Sequence, residues 1–587
     1  MVKAKEAGGC ATQKKSIKKP STGHATIPIQ SRKLDNHGSR TDHGFAMNEA
    51  AKASWSRGAI WLLCAVLLFE FMVGMFPFSP VEGDEQAVIN GIREMVRPTG
   101  ADLSMRYDYP LQPGAYWMTI GVHAATGADC GVCYFALSAA CALLFAWIAA
   151  ALISGLSGLS GLGFAGSLAL ALLCQEIQRA ACYANSSTIG GCLVLAGLLV
   201  AARRPAGLGT LAIAGALFGL GGWCRLDSLV LTPALLVILW RRETPARALI
   251  MTLQSALVTM ISLVVLFAAI HVSLREILGV YSARGEERGY FRTLMGFHVV
   301  TSVGILLAAG WGAVICWRRH VFWPILLFVS VLIPTLYLYS KSLGTPKYFY
   351  YLTPFLALLA ATGVRNIVTD RRRLLGGAVL IVAAAEWVTG LRTARTEVRR
   401  FTPEPTWTTS APINIGSKRI VWVVGPGEIL GNADGLELRT GLAFAGLVWH
   451  REKERALGQI AALHQAIDRH PRIALLTTTY ASYQCAAGYL RQCGFECLTK
   501  RADDRDPASH LDRWTDGDRE CWLAWINEGT AAPSIFADYA QRYAGFPTYF
   551  FNDLGRPYAD LLLKGPFRVE AKNQRTDGFF TLYRLGD

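Results

Sequence analysis

The chain has 587 residues, of which 52% are hydrophobic and only 17% are charged, and its mean hydropathy is +0.29. A soluble chain of this length needs more charge to cover its surface, so the composition excludes an ordinary soluble protein. The net charge of +15 does not by itself indicate nucleic-acid binding, which requires a basic face on a folded domain.

The first 57 residues are basic and polar. They hold eleven Lys or Arg against four Asp or Glu and contain no apolar run before about Ala46. Such a segment cannot bury enough apolar surface to fold. We therefore predict a disordered, basic, cytoplasmic tail over residues 1–57.

Apolar runs of roughly 15 to 25 residues, long enough to cross ~30 Å of hydrocarbon, fill the next part of the chain and stop after Leu391. They predict a polytopic α-helical membrane domain over residues 58–390, followed by a soluble domain over residues 391–587. About eleven transmembrane helices are expected, at 58–77, 130–154, 161–175, 188–202, 207–223, 228–240, 248–270, 299–317, 321–339, 346–364 and 374–390.

Arginine clusters predict the orientation of these spans. They occur at 203–204, 241–247, 318–319 and 365–373, on alternate connections. Since Lys and Arg collect in cytoplasmic loops, all four connections are expected on the cytoplasmic side. With an odd number of spans, the C-terminal domain then lies outside. The short loops and alanine-rich spans indicate a multi-pass protein of a bacterial inner membrane, with a cytoplasmic N-terminus and a periplasmic C-terminal domain. A location in the endoplasmic reticulum would have the same topological sense.

The first exported loop, residues 78–130, begins with an acidic cluster. Glu82-Gly83-Asp84-Glu85-Gln86 precedes apolar residues at helical spacing, from Val88 to Val96. This spacing predicts an amphipathic helix lying along the membrane surface. Taken alone, Asp84 is explained as an N-cap and Glu85 as a charge that complements the helix dipole.

An aromatic and proline-rich segment follows, from Tyr107 to Trp117, and it includes Tyr109, Gln112, Pro113 and Tyr116. By itself this segment is typical of an aromatic belt at a membrane interface, with turn-forming prolines.

The C-terminal domain alternates strand-like and helix-like runs, which predicts an α/β fold. Strands are expected at 419–424, 472–479, 521–526 and 579–585, and a helix at 452–469. Four cysteines lie in an exported stretch of some forty residues, and they predict at least one disulfide. The four are Cys485, Cys493, Cys497 and Cys521.

The order of an acidic pair, an Ile-x-x-x-Arg-Glu-Met helix and an aromatic-proline segment resembles the GT-C glycosyltransferases that use lipid-linked sugars. The chain is most similar to the protein O-mannosyltransferase and lipid A aminoarabinose transferase groups. Two later segments are also similar to that superfamily: Trp223-Cys224-Arg225-Leu226-Asp227 and the stretch from Pro346 to Pro354. The resemblance covers about residues 58–390.

The resemblance has departures that affect the donor site. In the aminoarabinose group an Arg follows three residues after the acidic Asp, where this chain has Ala87. That group also has Glu-Lys-Pro where this chain has Leu111-Gln112-Pro113. Two donor-phosphate contacts are therefore missing and the substrate is not carried over. Arg106, Arg225 or Lys347 would have to substitute.

The resemblance implies an inverting transfer of a sugar from a polyprenyl-phosphate-linked donor to a lipid, glycan or protein acceptor at the exported membrane surface. Asp84 would be the general base and Glu85 its supporting carboxylate. Arg225, Lys347 and Arg106 would contact the donor phosphate. Tyr109, Gln112, Pro113 and Tyr116 would form the substrate loop. The resemblance implies no specific cofactor, and we assign no metal ligands, although a requirement for a divalent metal stays an open alternative. No nucleic-acid partner is expected.

Two other functions are consistent with the same set of predicted transmembrane helices. A transporter or flippase for a lipid-linked glycan would share them, but it should show two related halves and ionisable residues at mid-membrane. The sequence shows no repeat, and its polar residues gather near one surface. A scaffold protein acting through its soluble domain would leave the acidic loop as simple helix capping.

Overall fold

The computed structural model describes 58–69, 72, 83–98, 109–157, 163–174, 177, 180, 185–283, 303–341, 350–369, 413–415, 418–424, 435–440, 470–477, 480–503, 506–525, 547–553, 575–577 and 580–585. Within some helices and strands, residues 83–86 among them, only the backbone is described. Residues Gly58–Asp587 cluster as one compact unit. The predictions for the tail (1–57), Arg106, Lys347, the span at 374–390 and the helix at 452–469 lie outside the described residues.

Helices make up the first part of the described chain. In chain order they are α1 (Gly58–Phe69), α2 (Gly83–Val96), α3 (Pro113–Thr126), α4 (Cys130–Ser157), α5 (Gly163–Leu172), α6 (Ser186–Arg203), α7 (Leu208–Cys224), α8 (Ala234–Trp240), α9 (Pro245–Ala269), α10 (Leu274–Ala283), α11 (Val303–Arg318), α12 (Trp323–Lys341) and α13 (Thr353–Thr369). Short 3-10 helices cover Tyr109–Leu111 and Leu226–Leu231.

The membrane class is confirmed. Three described helices are long and apolar enough to cross a bilayer, α4, α6 and α9, and six shorter apolar helices accompany them. Only 22% of the most apolar 18-residue stretch of α9 is buried. This is expected of a helix whose apolar side chains face lipid. Helices occur in ten of the predicted spans, but the count of eleven is not confirmed.

One predicted span is interrupted. The segment at 228–240 starts as the 3-10 helix Leu226–Leu231 and becomes α-helical only from Ala234. Pro233 precedes that helix. Because proline lacks an N–H and its ring clashes with the preceding turn, it favours a helix start at this point over a continuous helix.

The C-terminal part contains two sheets and the helix α14 (Tyr480–Gln492). The strands are β1 (Ile413–Ile415), β2 (Lys418–Val424), β3 (Gly435–Thr440), β4 (Arg472–Thr477), β5 (Glu496–Asp503), β6 (Asp506–Asp516), β7 (Arg519–Trp525), β8 (Thr548–Asp553), β9 (Arg575–Asp577) and β10 (Phe580–Leu585). The small sheet has the order β1-β2-β3 and the larger one β5-β6-β7-β4-β8-β10-β9. Strand β4 runs parallel to both β7 and β8. The four strands predicted in this part are therefore confirmed.

The predicted disulfide is wrong. Cys493, Cys497 and Cys521 form no disulfide in the structure, and any bridge among the four candidates would need one of them. The sheet register explains the result for Cys497 and Cys521. Both lie opposite Trp514, on the two strands that flank it. Two strand spacings of about 4.8 Å separate their backbones by roughly 10 Å, beyond the reach of a disulfide.

Helix α2 forms where the sequence predicts it, but its apolar side faces protein instead of lipid. Val88, Ile89 and Ile92 belong to an apolar cluster with residues of α3, α4 and α6. The cluster includes Tyr116 of α3. All residues from 87 to 92 are buried. A short amphipathic pattern cannot tell a lipid surface from a protein surface, because both are apolar.

Candidate functional site

The structure brings the ends of three helices together. Helices α6 and α7 pack against each other and are joined at one end by residues 204–207. Ser186, the first residue of α6, and Arg225, which directly follows α7, therefore lie at the opposite end. Gln112 immediately precedes α3 and reaches the same place.

These helix ends hold a buried polar network. The Arg225 guanidinium donates a hydrogen bond from Nε to Oδ2 of Asp227 at 3.1 Å, and its Nη2 lies 3.1 Å from the same oxygen. Its Nη1 donates to Oε1 of Gln112 at 3.0 Å and to Oγ of Ser186 at 3.3 Å. The Ser186 hydroxyl also donates to Oε1 of Gln112. One guanidinium thus bridges a carboxylate and two neutral side chains.

Local sequence explains how each member is presented. Pro113 occupies the first turn of α3, where its fixed φ suits the helix and no N–H is required, so Gln112 lies at the helix start. Asn185 caps α6 by accepting from the Ser187 N–H at 2.9 Å. Arg225 has extended backbone, with φ −159° and ψ 109°, which ends α7 and starts the next 3-10 helix.

The network is almost completely withdrawn from solvent. The Arg225 and Asp227 side chains are 5% and 1% exposed. Burying two ions costs several kcal/mol each, and their attraction offsets this only when further hydrogen bonds are made. Gln112 and Ser186 supply those bonds to the guanidinium. Removing either ion would leave the other buried and uncompensated.

Three more polar groups lie close to the network in the sequence and lack a hydrogen-bond partner among the described residues. They are the Ser187 and Ser228 hydroxyls and the indole N–H of Trp223. Each buried unsatisfied group costs about 1–3 kcal/mol. All three are donors, so an oxygen-rich ligand at this end of the helices would satisfy them.

Close contact between α6 and α7 sets the geometry of the network. A Cβ added at Gly190 would lie 2.8 Å from the carbonyl oxygen of Gly221 and 2.9 Å from Cβ of Arg225. Glycine at such a crossing lets two membrane helices approach closely. Gly190 is one turn after Ser186, so the crossing keeps Ser186 within reach of Arg225.

The Gly190→Ala variant should therefore be less stable by about 1–3 kcal/mol, the usual cost of overpacking. Gly209→Ala is the matched control, because a Cβ there meets nothing within 4 Å. We expect the control to unfold at or slightly above the wild-type temperature, since alanine favours helix. Thermal unfolding of the detergent-solubilised proteins measures both. Equal stability of the two variants would contradict the close crossing.

The acidic pair lies in the first turn of α2, which begins at Gly83. Only the backbone of Asp84 and Glu85 is described. Carboxylates in a first turn interact favourably with the helix dipole. The buried apolar cluster that holds α2 also contains Ala115 and Cys224, which lie close in sequence to Gln112 and Arg225. Helix α2 is thus packed against the elements that present the network.

The predicted substrate loop is a 3-10 turn followed by the start of α3. Tyr109 packs edge-on against Tyr116 at 5.2 Å between ring centres. Its hydroxyl accepts a hydrogen bond from Nε1 of Trp117 at 3.1 Å. Burial raises the pKa of Tyr109 in spite of that bond, so the phenol stays protonated at neutral pH. Tyr116 is 1% exposed and forms part of the apolar cluster.

Of the residues singled out from the sequence, the structure brings Gln112 and Arg225 into contact and places Pro113 beside them. The sequence reasoning did not identify Ser186. The available signal was the run Asn185-Ser186-Ser187-Thr188 at the start of an apolar span. Among the described residues, no group of three or more His, Cys, Asp or Glu could hold a metal ion.

No protein-family model matches the chain, and no curated protein matches it. Two crystal structures of ArnT from Cupriavidus metallidurans are similar. The apo structure has a TM-score of 0.51 at 15% identity, covering 90% of this chain and 98% of ArnT. The structure bound to undecaprenyl phosphate has a TM-score of 0.45 at 15% identity, with the same shares covered. The predicted resemblance to the aminoarabinose transferase group is confirmed for the fold alone: the chain shares the fold of ArnT.

Proposed function

We propose that this protein is an integral membrane glycosyltransferase that moves a sugar from a polyprenyl-phosphate-linked donor to an acceptor outside the cytoplasm. Fold alone does not determine function, so the proposal depends on the site. The observation that carries it is the buried Arg225, whose Nη1 donates to the neutral side chains of Gln112 and Ser186 in the hydrogen bonds described above.

This arrangement suits a phosphate. The pair of Arg225 and Asp227 is neutral overall, and Asp227 is contacted through Nε and Nη2. The third nitrogen, Nη1, donates to neutral acceptors, and we propose that it exchanges them for an anionic oxygen when the donor binds. Charge-assisted bonds are roughly twice as strong as neutral ones. The three unsatisfied donors near the network could add further contacts to the same group.

The proposed reaction is a single displacement. An acceptor hydroxyl attacks the anomeric carbon of the donor while the bond from that carbon to the phosphate oxygen breaks on the opposite face, which inverts the configuration. The hydroxyl proton passes to the Asp84 carboxylate, with Glu85 orienting the acceptor. The bonding electrons leave with the polyprenyl phosphate, whose developing charge Arg225 would stabilise. Lys347 and Arg106 are further candidates for the phosphate.

Binding of the leaving group tests the proposal directly. Undecaprenyl phosphate at 100 times its dissociation constant should stabilise the solubilised protein by about 2.7 kcal/mol. The neutral alcohol undecaprenol is the control, because it has the same chain without the phosphate. Stabilisation by both lipids alike would show that the phosphate is not recognised. Membranes containing the protein should also transfer label from a polyprenyl-phosphate-linked sugar pool, and failure to do so would refute the activity.

The proposed arrangement in the membrane places residues 391–587 outside the cytoplasm and the arginine-rich connections inside. Reporter fusions after Leu391 should be active outside the cytoplasm, and fusions at Arg242 or Arg372 should be active inside. The physical reason is the retention of Lys and Arg in short cytoplasmic loops. A C-terminal fusion active in the cytoplasm would mean an even number of spans, and the site would then face the wrong side for the proposed reaction.

A further inference from the structure

Helix α2, which carries the acidic pair, is in direct contact with α14 of the C-terminal part, almost 400 residues away in the chain. The side-chain amide of Asn90 donates to both the backbone oxygen and Oε1 of Gln484, each at 3.1 Å. Asn90 and Gln484 are 0% and 1% exposed. Two buried amides therefore join the helices at the centre of the contact.

An ion pair extends this contact by one turn. Arg491 donates from Nη2 to Oε2 of Glu94 at 2.7 Å and from Nη1 to the backbone oxygen of Asn90 at 2.8 Å. The Arg491 and Glu94 side chains are 7% and 12% exposed. Asn90 and Glu94 are four residues apart and thus share one face of α2. A pair so withdrawn from water is a stronger restraint than an exposed ion pair.

The opposite faces of α2 are held by the helical part. Val88, Ile89 and Ile92 lie in the apolar cluster with α3 and α4. Arg93 donates from Nη2 to both carboxylate oxygens of Asp129, at 2.9 and 3.0 Å. Burial alone would raise the pKa of Asp129, but Arg93 and backbone N–H groups outweigh it, so the pKa is lowered. The carboxylate is therefore charged at neutral pH and tethers the start of α4 to α2.

The C-terminal part thus covers one face of the helix that carries Asp84 and Glu85, and the helical part covers others. The hydrogen bonds described for this contact join α2 to α14, whereas those of the network join Gln112, Ser186, Arg225 and Asp227. A change in this contact therefore releases the helix that carries the acidic pair and removes no hydrogen bond among Gln112, Ser186, Arg225 and Asp227.

We propose that Arg491, together with Glu94 and Asn90, is a positioning element of the transfer reaction: the C-terminal part fixes the angle of α2 and hence the place of the general base. This inference depends on the function proposed above. It gives the C-terminal part a role in the chemical step. A displacement of about 1 Å in a reacting group can cost about 10²-fold in rate.

The test uses the full chain in membranes and measures kcat and the KM for donor separately. Arg491→Gln and Glu94→Gln should each lower kcat by about 10-fold to 10²-fold, as expected for a misplaced group, and leave the donor KM unchanged. The double variant should be no worse than Arg491→Gln, because both changes break the same pair. Hydrogen exchange at the backbone amides of residues 86–92 should rise in all three.

Arg513→Gln is the matched control. Arg513 pairs with Glu520 at 2.8 Å between β6 and β7, within the sheet and not with α2. The Arg513→Gln variant should leave kcat and the hydrogen exchange of α2 unchanged. If Arg491→Gln lowers kcat no more than this control, or raises the donor KM in proportion, the positioning role is refuted. A double variant whose loss of kcat is the product of the two single losses would also refute it.

The two proposals fail in different ways. Wild-type membranes that transfer no sugar would refute the proposed function and this inference with it. Active wild-type membranes combined with unchanged Arg491→Gln and Glu94→Gln variants would refute this inference alone. Exchange at α2 that rises with kcat unchanged would show that the contact stabilises the helix only, and it too would overturn the positioning role.

Discussion

The Asp84→Asn variant should transfer sugar about 10² to 10⁴ times more slowly than the wild-type protein, the usual loss when a general base is removed. Asparagine keeps the shape of the side chain but cannot accept the hydroxyl proton. Because α2 begins at Gly83, Asp84 lies in the first turn, and loss of its charge there should cost only about 0.3–1 kcal/mol of stability. Transfer from a labelled lipid-linked sugar pool gives the rate, with protein abundance as the control.

Glu85→Gln is the matched comparison, since it removes a neighbouring carboxylate from the same turn. If Glu85 only orients the acceptor, the defect should be clearly smaller than that of Asp84→Asn. A purely structural role for the pair predicts similar small stability losses and normal transfer in both variants. Full transfer by Asp84→Asn at normal abundance would remove Asp84 from the mechanism.

Breaking the Arg225–Asp227 pair should have the largest effect on stability. Arg225→Met leaves the Asp227 carboxylate, 1% exposed, without its cation, and loss of one partner of a buried pair costs about 3–5 kcal/mol. We expect this variant to be poorly folded and inactive. Its inactivity alone would therefore say nothing about phosphate binding.

The double variant Arg225→Met with Asp227→Leu separates the two roles. Replacing both ions of a buried pair with apolar residues is often neutral or stabilising, and Gln112 can still accept from Ser186. Thermal unfolding should thus return close to the wild-type temperature. If Arg225 binds the phosphate, sugar transfer should remain absent and undecaprenyl phosphate should not stabilise the protein. A double variant that recovers both would show that the ion pair is structural only.

The sequence by itself determined the membrane class, most helices and four strands of the C-terminal part. These follow from local patterns: runs of apolar residues long enough for a bilayer, and short β-rich segments between turns. Strand β2 and strand β10, for example, occur within one residue of the predicted positions. The acidic loop and the Arg-x-Asp segment also indicated, by resemblance, the fold that the chain shares with ArnT.

The tertiary structure decided which residues meet. Gln112, Ser186 and Arg225 are far apart in the chain, and no local pattern pairs them, because their contact depends on how closely α6 and α7 cross at Gly190. The absence of a bridge between Cys497 and Cys521 likewise follows from strand register, which puts Trp514 between them. The contact of α2 with α14 depends on how α2 lies between the helical part, which covers its apolar face, and α14, which binds Asn90 and Glu94. An amphipathic pattern specifies that a face is apolar or polar, whereas only packing specifies the partner that covers it.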